Sequence, residues 1–143
     1  MDAMLSEVLP RMGTERKTVR VLVVEDHAAF RQALAVVLGA RPDLEATAQA
    51  GSLAEARACL SSGGAGPFDA AVVDLGLPDG DGTELVGELV DGEPAVPVLA
   101  LTDRLDLDRR GKAVRAGAQE VLSKGAGLGV ILDAIRRLGA RRR

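Results

Sequence analysis

The stretch VRVLVVEDHAAF, residues 19–30, carries an almost unbroken aliphatic run straight into two adjacent acids, Glu25 and Asp26. A strand with one wet face alternates apolar and polar residues, so so continuous a run reads as a strand buried on both faces, which implies a parallel sheet. Four further runs follow: LEATAQA (44–50), DAAVVD (69–74), VPVLAL (96–101) and QEVLS (119–123). Helical periodicity fills the intervals at about 27–39, 52–62, 82–90 and 105–116, and a last helix at about 127–138 follows the fifth strand. Ser52 is placed to cap the second helix, SSGGAGP breaks the chain before the third strand, and EPAVP closes the third helix. Right-handed crossovers then place helices on both sides of an open sheet, a three-layer (βα)5 α/β sandwich. In such a sheet ligands sit beyond the carboxyl ends of the strands, so the acids at 25 and 26 stand where function is expected.

The bulk composition agrees with one domain. The chain has 143 residues, 47% hydrophobic and 27% charged, the size and balance of a single soluble core. Eighteen basic residues against 21 acidic leave a net charge of -3, so no overall positive field argues for nucleic-acid binding. The C-terminal RRLGARRR reads as a solvated tail, with residues 140–143 its basic end. A single cysteine, Cys59, on a helical segment and half-buried, fits a reducing compartment. No run of 18 apolar residues and no signal-like N-terminus is seen, so the expectation is a cytoplasmic protein with no membrane contact. Residues 1–18 read as an extension before a domain spanning 19–139.

Just beyond the strands stand Glu25 and Asp26 after the first, Asp74 at the end of the third, Thr102 after the fourth and Lys124 after the fifth. In a sheet of order 2-1-3-4-5 these ends are adjacent, and all five side chains converge. Carboxylates 4 Å apart repel by roughly 4 kcal/mol at an effective dielectric of about 20. A cation must relieve this, and hard oxygen donors with an open position suit Mg²⁺. Thr102 offers a short hydroxyl and Lys124 a movable charge; a carboxylate held in line with a metal-bound phosphoryl donor can itself act as nucleophile. The implied chemistry is phosphoryl transfer to a carboxylate.

VLVVEDH, DAAVVDLGLPDGDG, LALTD and EVLSKGA closely resemble the four signature stretches of response-regulator receiver domains, over about residues 19–139. The resemblance implies a flavodoxin-like (βα)5 fold and a signalling phosphoacceptor of two-component systems, not an enzyme beyond its own phosphotransfer and autodephosphorylation. It implies Asp74 as the phosphoacceptor, with Glu25, Asp26, Asp74 and the backbone carbonyl of Gly76 holding Mg²⁺, Thr102 as the signalling hydroxyl, and Lys124 as the partner of the acceptor and then of its phosphoryl group. Pro78 and Gly82 shape the loop after the acceptor. The implied partners are a sensor histidine kinase or phosphotransfer protein and a homodimer through the face of the fourth helix, fifth strand and fifth helix. VEDHAAFRQALAVVL and LSKGA look most like the subfamily whose receivers precede a helix-turn-helix DNA-binding domain. Only 19 residues follow Lys124, so the expectation is a stand-alone receiver or one cut from a longer protein, with no nucleic acid bound by this chain itself.

Several positions depart from the family pattern. Asp103 replaces the usual small residue after the hydroxyl; it is expected to point outward and cap a helix starting near Leu105. Val121 stands where an aromatic switch is usual, and Gly125 follows the lysine where a cis proline is common, so a trans bond is expected. His27 is expected to open the first helix and face solvent, Cys59 to have no redox role, and Phe30 and Phe68 to fill the core. The competing functional reading is a receiver-fold interaction module uncoupled from phosphorylation. A flavin-binding or phosphatase reading is set aside because the phosphate-loop and D-x-D patterns are missing.

Overall fold

The computed structural model describes residues 18–62 and 67–142. Five parallel strands, β1 (Val19–Val24), β2 (Leu44–Ala50), β3 (Ala70–Asp74), β4 (Val98–Thr102) and β5 (Glu120–Ser123), form one sheet in the order β2-β1-β3-β4-β5. The helices are α1 (Ala28–Gly39), α2 (Leu53–Ser62), α3 (Gly82–Asp91), α4 (Leu107–Ala116) and α5 (Leu128–Arg142). This is the flavodoxin-like (βα)5 sandwich and strand order expected from the sequence.

The double-sided burial of the central strands has a simple origin. Successive side chains point to opposite faces, so the aliphatic residues of β1 feed two cores in turn. Leu22 and Val24, with Val73 and Ala100, pack on Leu53, Leu85, Val86 and Leu89 from α2 and α3. Val21 and Val23, with Val72, Leu99 and Leu101, pack on Leu34 and Leu38 of α1 and on Ile131, Leu132, Ile135 and Leu138 of α5. Phe68 is buried in the first core and Phe30 lies half-buried against the second. No helix among the described residues is long and apolar enough to cross a membrane.

The boundaries differ from expectation where backbone chemistry or distant contacts decide. β4 begins at Val98, not residue 96, because Pro97 has no N–H to give a ladder; the Val98 N–H donates instead to Gln119 Oε1 at 2.9 Å. A two-residue antiparallel ladder, Gly76–Leu77 against Gly80–Asp81, tightens the loop after β3. Ser52 caps α2 as expected by accepting from the Glu55 N–H at 3.1 Å, and Asp79 reaches across from that loop to accept from the N–H groups of Leu53 and Ala54 at 2.8 and 3.0 Å. The last helix runs on to Arg142. Arg136 is tied to Asp43 at 2.8 Å and Arg137 to Glu120 at 2.7 Å, so this part of RRLGARRR is a paired helix face, not a free tail.

Asp103 does not cap α4. The helix starts at Leu107, and its cap is Asp106, whose Oδ1 accepts from the Arg109 N–H at 2.8 Å. Loss of such a cap costs about 1 kcal/mol. Asp106→Ala is therefore expected to lower unfolding free energy in urea by that amount, whereas Asp103→Ala should change it by less than about 0.5 kcal/mol, as usual for a surface substitution. Equal effects would contradict the cap assignment.

Candidate functional site

The sheet order sets the ends of β1, β3, β4 and β5 side by side, and the residues expected at the site meet there. Glu25, Asp74 and Thr102 are 1%, 3% and 3% exposed, the three buried polar side chains among the described residues. Their burial follows from position: Asp74 and Thr102 end strands covered on both faces, and Glu25 directly follows another. Asp74 pairs in register with Leu101, one residue before Thr102.

Lys124, in the 3-10 turn Lys124–Ala126 directly after β5, crosses the strand ends to reach the acids. Its ammonium donates to Asp74 Oδ2 at 3.1 Å and to Glu25 Oε2 at 3.0 Å, with Glu25 Oε1 2.9 Å away. The other acceptor oxygen, Asp74 Oδ1, takes the Gly76 N–H at 2.9 Å. Each oxygen of Asp74 is thus held by a different donor, which fixes the carboxylate plane. The Thr102 hydroxyl donates to the Arg104 carbonyl at 3.2 Å, within the wall of the same cavity as Asp74. That cavity, about 240 Å³, is also bordered by Gly76, Asp103, Arg109 and Lys112.

The electrostatics follow from crowding three acids and one ammonium. Burial, together with the negative charge of Glu25, pushes the Asp74 carboxyl up to about 7, despite the opposing Gly76 N–H and Lys124. Asp26 is held below the usual carboxylate range: partial burial works against this, but its contacts with Asp74 and Glu25 and the nearby His27 outweigh it. Burial would lower Lys124, yet the carboxylates of Glu25 and Asp74 keep its ammonium above the ordinary value.

The donor set fits a divalent cation. Asp26 Oδ1 is buried without a hydrogen bond, and Glu25 Oε1, also without one, faces the Lys124 ammonium at 2.9 Å; a buried carboxylate oxygen without a partner is costly. Glu25, Asp26, His27 and Asp74 each offer one ligand atom, and these atoms all lie within 4.8 Å of one another. Among the expected residues, the structure thus brings Glu25, Asp26, Asp74, Gly76, Thr102 and Lys124 to one place.

Other positions came out differently or were not foreseen. Asp103 is 73% exposed at the side chain, yet its Oδ1 lies 3.5 Å from the Lys124 ammonium. Val121 is buried in the α2–α4 side core, and the cis bond among the described residues is Glu93–Pro94, not the bond after Lys124. His27 does precede α1 as its N-cap and is exposed, but its Nδ1 turns inward, 3.0 Å from Glu25 Oε2. Arg109 and Lys112 border the cavity although both lie well away from the signature stretches. The sequence offered only one hint of them: i, i+3 spacing on the helix after Thr102.

Comparison with known proteins is consistent across sequence and structure. The chain is 40% identical over 106 residues to the DNA-binding transcriptional activator DevR/DosR of Mycobacterium tuberculosis, covering 74% of this chain and 48% of that protein. It is 38% identical over 119 residues to the KDP operon transcriptional regulatory protein KdpE of Escherichia coli, covering 81% and 49%. The chain therefore spans about half the length of these curated relatives. Among solved structures, a response regulator from Burkholderia pseudomallei with a phosphorylated aspartic acid, calcium ion and citrate aligns with a TM-score of 0.70 and 31% identity, over 85% of this chain and 69% of that one. The signal receiver domain of the response regulator NarL from Mycobacterium tuberculosis shares the fold, with a TM-score of 0.77 at 24% identity over 87% and 98% of the two chains. The family model of the response regulator receiver domain matches residues 21–136, and with the strand order and the clustered strand-end residues this places the chain in the receiver domain family of two-component response regulators.

Proposed function

We propose that Asp74 is the phosphoacceptor of this receiver, and that Glu25, Asp26, Asp74 and the backbone carbonyl of Gly76 hold the Mg²⁺ on which the transfer depends. Receiver domains accept phosphoryl groups from histidine kinases; for this chain the donor is the phosphohistidine of a partner kinase or phosphotransfer protein. The observation that carries the reading is the setting of Asp74: a buried carboxylate at a cavity wall, with one oxygen on the Gly76 N–H and the other on Lys124.

An Asp74 oxygen attacks phosphorus, the P–N bond to the donor imidazole breaks, and the electron pair leaves with the imidazole, which takes up a proton. Bound Mg²⁺ supplies charge neutralisation of the phosphoryl oxygens. Lys124 has two jobs that use the same ammonium. Before transfer it keeps Asp74 and Glu25 from repelling one another; afterwards it faces the charge of roughly -1.5 to -2 that the phosphoryl group carries. Thr102 must give up its bond to the Arg104 carbonyl to meet that phosphoryl group, which moves the β4–α4 loop. We assign the output to this movement, through the α4–β5–α5 face, to a homodimer or partner in the cytoplasm and without nucleic acid bound by this chain. Val121 cannot supply an aromatic rotamer switch, so the loop movement must carry the signal. The phosphorylated aspartic acid of the Burkholderia pseudomallei relative supports the assignment.

The test is intact mass after incubation with acetyl phosphate and Mg²⁺, beside an EDTA control. One phosphoryl group is expected with Mg²⁺ and none in EDTA. No gain, with Mg²⁺ binding intact by titration, would favour the uncoupled interaction module and would single out Asp103, whose charge beside Lys124 opposes an anionic donor.

The same site predicts how metal binding responds to acidity. With Asp74 pushed up to about 7, a proton competes with the cation below that pH. Mg²⁺ affinity measured by calorimetry should therefore rise between about pH 5.5 and 8 and level off above, since the carboxylate is then already ionised. A flat profile would show that Asp74 is no ligand.

A further inference from the structure

The cavity in front of Asp74 has walls of mixed charge. Asp74, Asp81 and Asp103 face it, and among the described residues Arg109 and Lys112 are the cationic side chains that line it. Lys124 stands outside that lining, 11% exposed and engaged by carboxylates: Glu25 at 2.9 Å, Asp74 at 3.1 Å and Asp103 at 3.5 Å. Positive charge for an arriving anion must therefore come from α4. Arg109 and Lys112 are three residues apart and share one face of that helix, and both are exposed.

Neither cation is tightly held where it rests. Arg109 Nε lies 3.9 Å from Asp106 and Lys112 Nζ 3.9 Å from Asp81, with all four side chains 45–62% exposed, a setting in which an ion pair contributes little. The acids have partners of their own: Asp106 Oδ1 accepts from the Arg109 N–H at 2.8 Å, and Asp81 Oδ1 from the Thr83 N–H at 2.9 Å. Either cation can turn to an anion in the cavity and leave no buried carboxylate unpaired. Both suit a phosphoryl group, arginine through its planar fork and lysine as a point charge. We propose that Arg109 and Lys112 form an anion-capturing wall that draws small acyl phosphates into the cavity and holds the phosphoryl dianion in front of Asp74. The proposal rests on the reading of Asp74 as phosphoacceptor and adds to it a donor class and two binding residues. With acetyl phosphate, an Asp74 oxygen bonds to phosphorus, the P–O bond to the acetyl carboxyl breaks, and its electron pair leaves on acetate with no proton required.

The test follows initial rates of phosphoryl uptake by intact mass at rising acetyl phosphate and saturating Mg²⁺. The slope at low donor should fall about tenfold when Arg109→Gln and Lys112→Gln are combined, and stay within about threefold when the two residues are exchanged as Arg109→Lys with Lys112→Arg. Arg110→Gln removes a charge from the same helix away from the cavity and should stay within about twofold. Added KCl should lower the wild-type slope more steeply than that of the double Gln variant. Binding without transfer is read with acetonylphosphonate, whose C–P bond does not transfer: in ¹⁵N-labelled protein the Arg109 Nε resonance should shift and that of Arg110 stay in place. Equal slopes in wild type and the double Gln variant would overturn the proposal, as would an equal loss in Arg110→Gln, which would mean a diffuse field and no wall. Should the double variant fail to fold, the analogue decides alone, and no shift at Arg109 refutes the wall. Phosphoryl uptake with equal slopes would sink this inference and leave the phosphoacceptor standing; an Arg109 response without any uptake would do the reverse.

Discussion

Asp74→Asn is expected to take up no phosphoryl group and, in EDTA near pH 8, to unfold at a higher temperature than the wild type. The first effect follows from removing the carboxylate proposed as the nucleophile. The second follows from the cost of keeping that carboxylate ionised. Asp74 is 3% exposed and its carboxyl is raised from 3.8 to about 7, so the folded protein holds this proton more tightly than the unfolded chain. Stability is therefore greatest below about pH 4 and is lost as pH rises toward 7, after which the loss is complete. Asparagine has the shape of the neutral acid and escapes that loss, a gain of up to about 4 kcal/mol. At roughly 2–4 °C per kcal/mol for a chain of this size, a rise of up to about 8–16 °C is expected. Lys124 keeps Glu25 as a partner in the variant, so no charge is orphaned. Saturating Mg²⁺ should narrow the gap by stabilising the wild type, and the two melting curves should converge in acid. A variant less stable than wild type at every pH would mean that the ion pair with Lys124 outweighs burial and repulsion.

Gly82→Ala should do the opposite, damaging both stability and the site. Gly82 opens α3, and its N–H donates to the Leu75 carbonyl at 3.0 Å. A methyl group there would collide with the Asp74 carbonyl oxygen and approach Leu75 Cα to 2.8 Å. Both obstacles are backbone, and α3 cannot back away because Leu85, Val86 and Leu89 lock it into the core. Overpacking of this kind costs about 1–3 kcal/mol. The strand end that carries Asp74 must shift, so phosphoryl uptake should slow as well. Gly129→Ala is the control: its methyl would meet nothing within 4 Å, and in a helix the change should be neutral or slightly stabilising. Equal destabilisation by both would point to a general intolerance of alanine and not to the Asp74 loop.

Much of this molecule is legible in its sequence because the deciding signals are local. Runs such as VRVLVV and AAVVD are too continuous for a half-wet strand, so double-sided burial and a parallel sheet follow from period alone. Acids, a hydroxyl and a lysine at successive strand ends then predict convergence, since the carboxyl edge of such a sheet is one place. That reasoning reached Glu25, Asp26, Asp74, Thr102 and Lys124 without knowledge of any distance. Helix starts were less secure: Asp103 and Asp106 are both capable caps, and only the path of the β4–α4 loop chose Asp106.

By itself, then, the sequence determined that the strands form a parallel sheet buried on both faces and which residues stand at the strand ends, because each is written in residue periodicity and spacing; the strand order came with the family resemblance. The tertiary structure alone decided which of those residues touch. Lys124 bridges Glu25 and Asp74 across 99 and 50 residues of chain, Asp79 caps a helix 26 residues earlier, and Arg136 binds Asp43 across 93. Such contacts depend on the angle at which strands and helices meet, and that angle is set by packing among residues far apart in sequence.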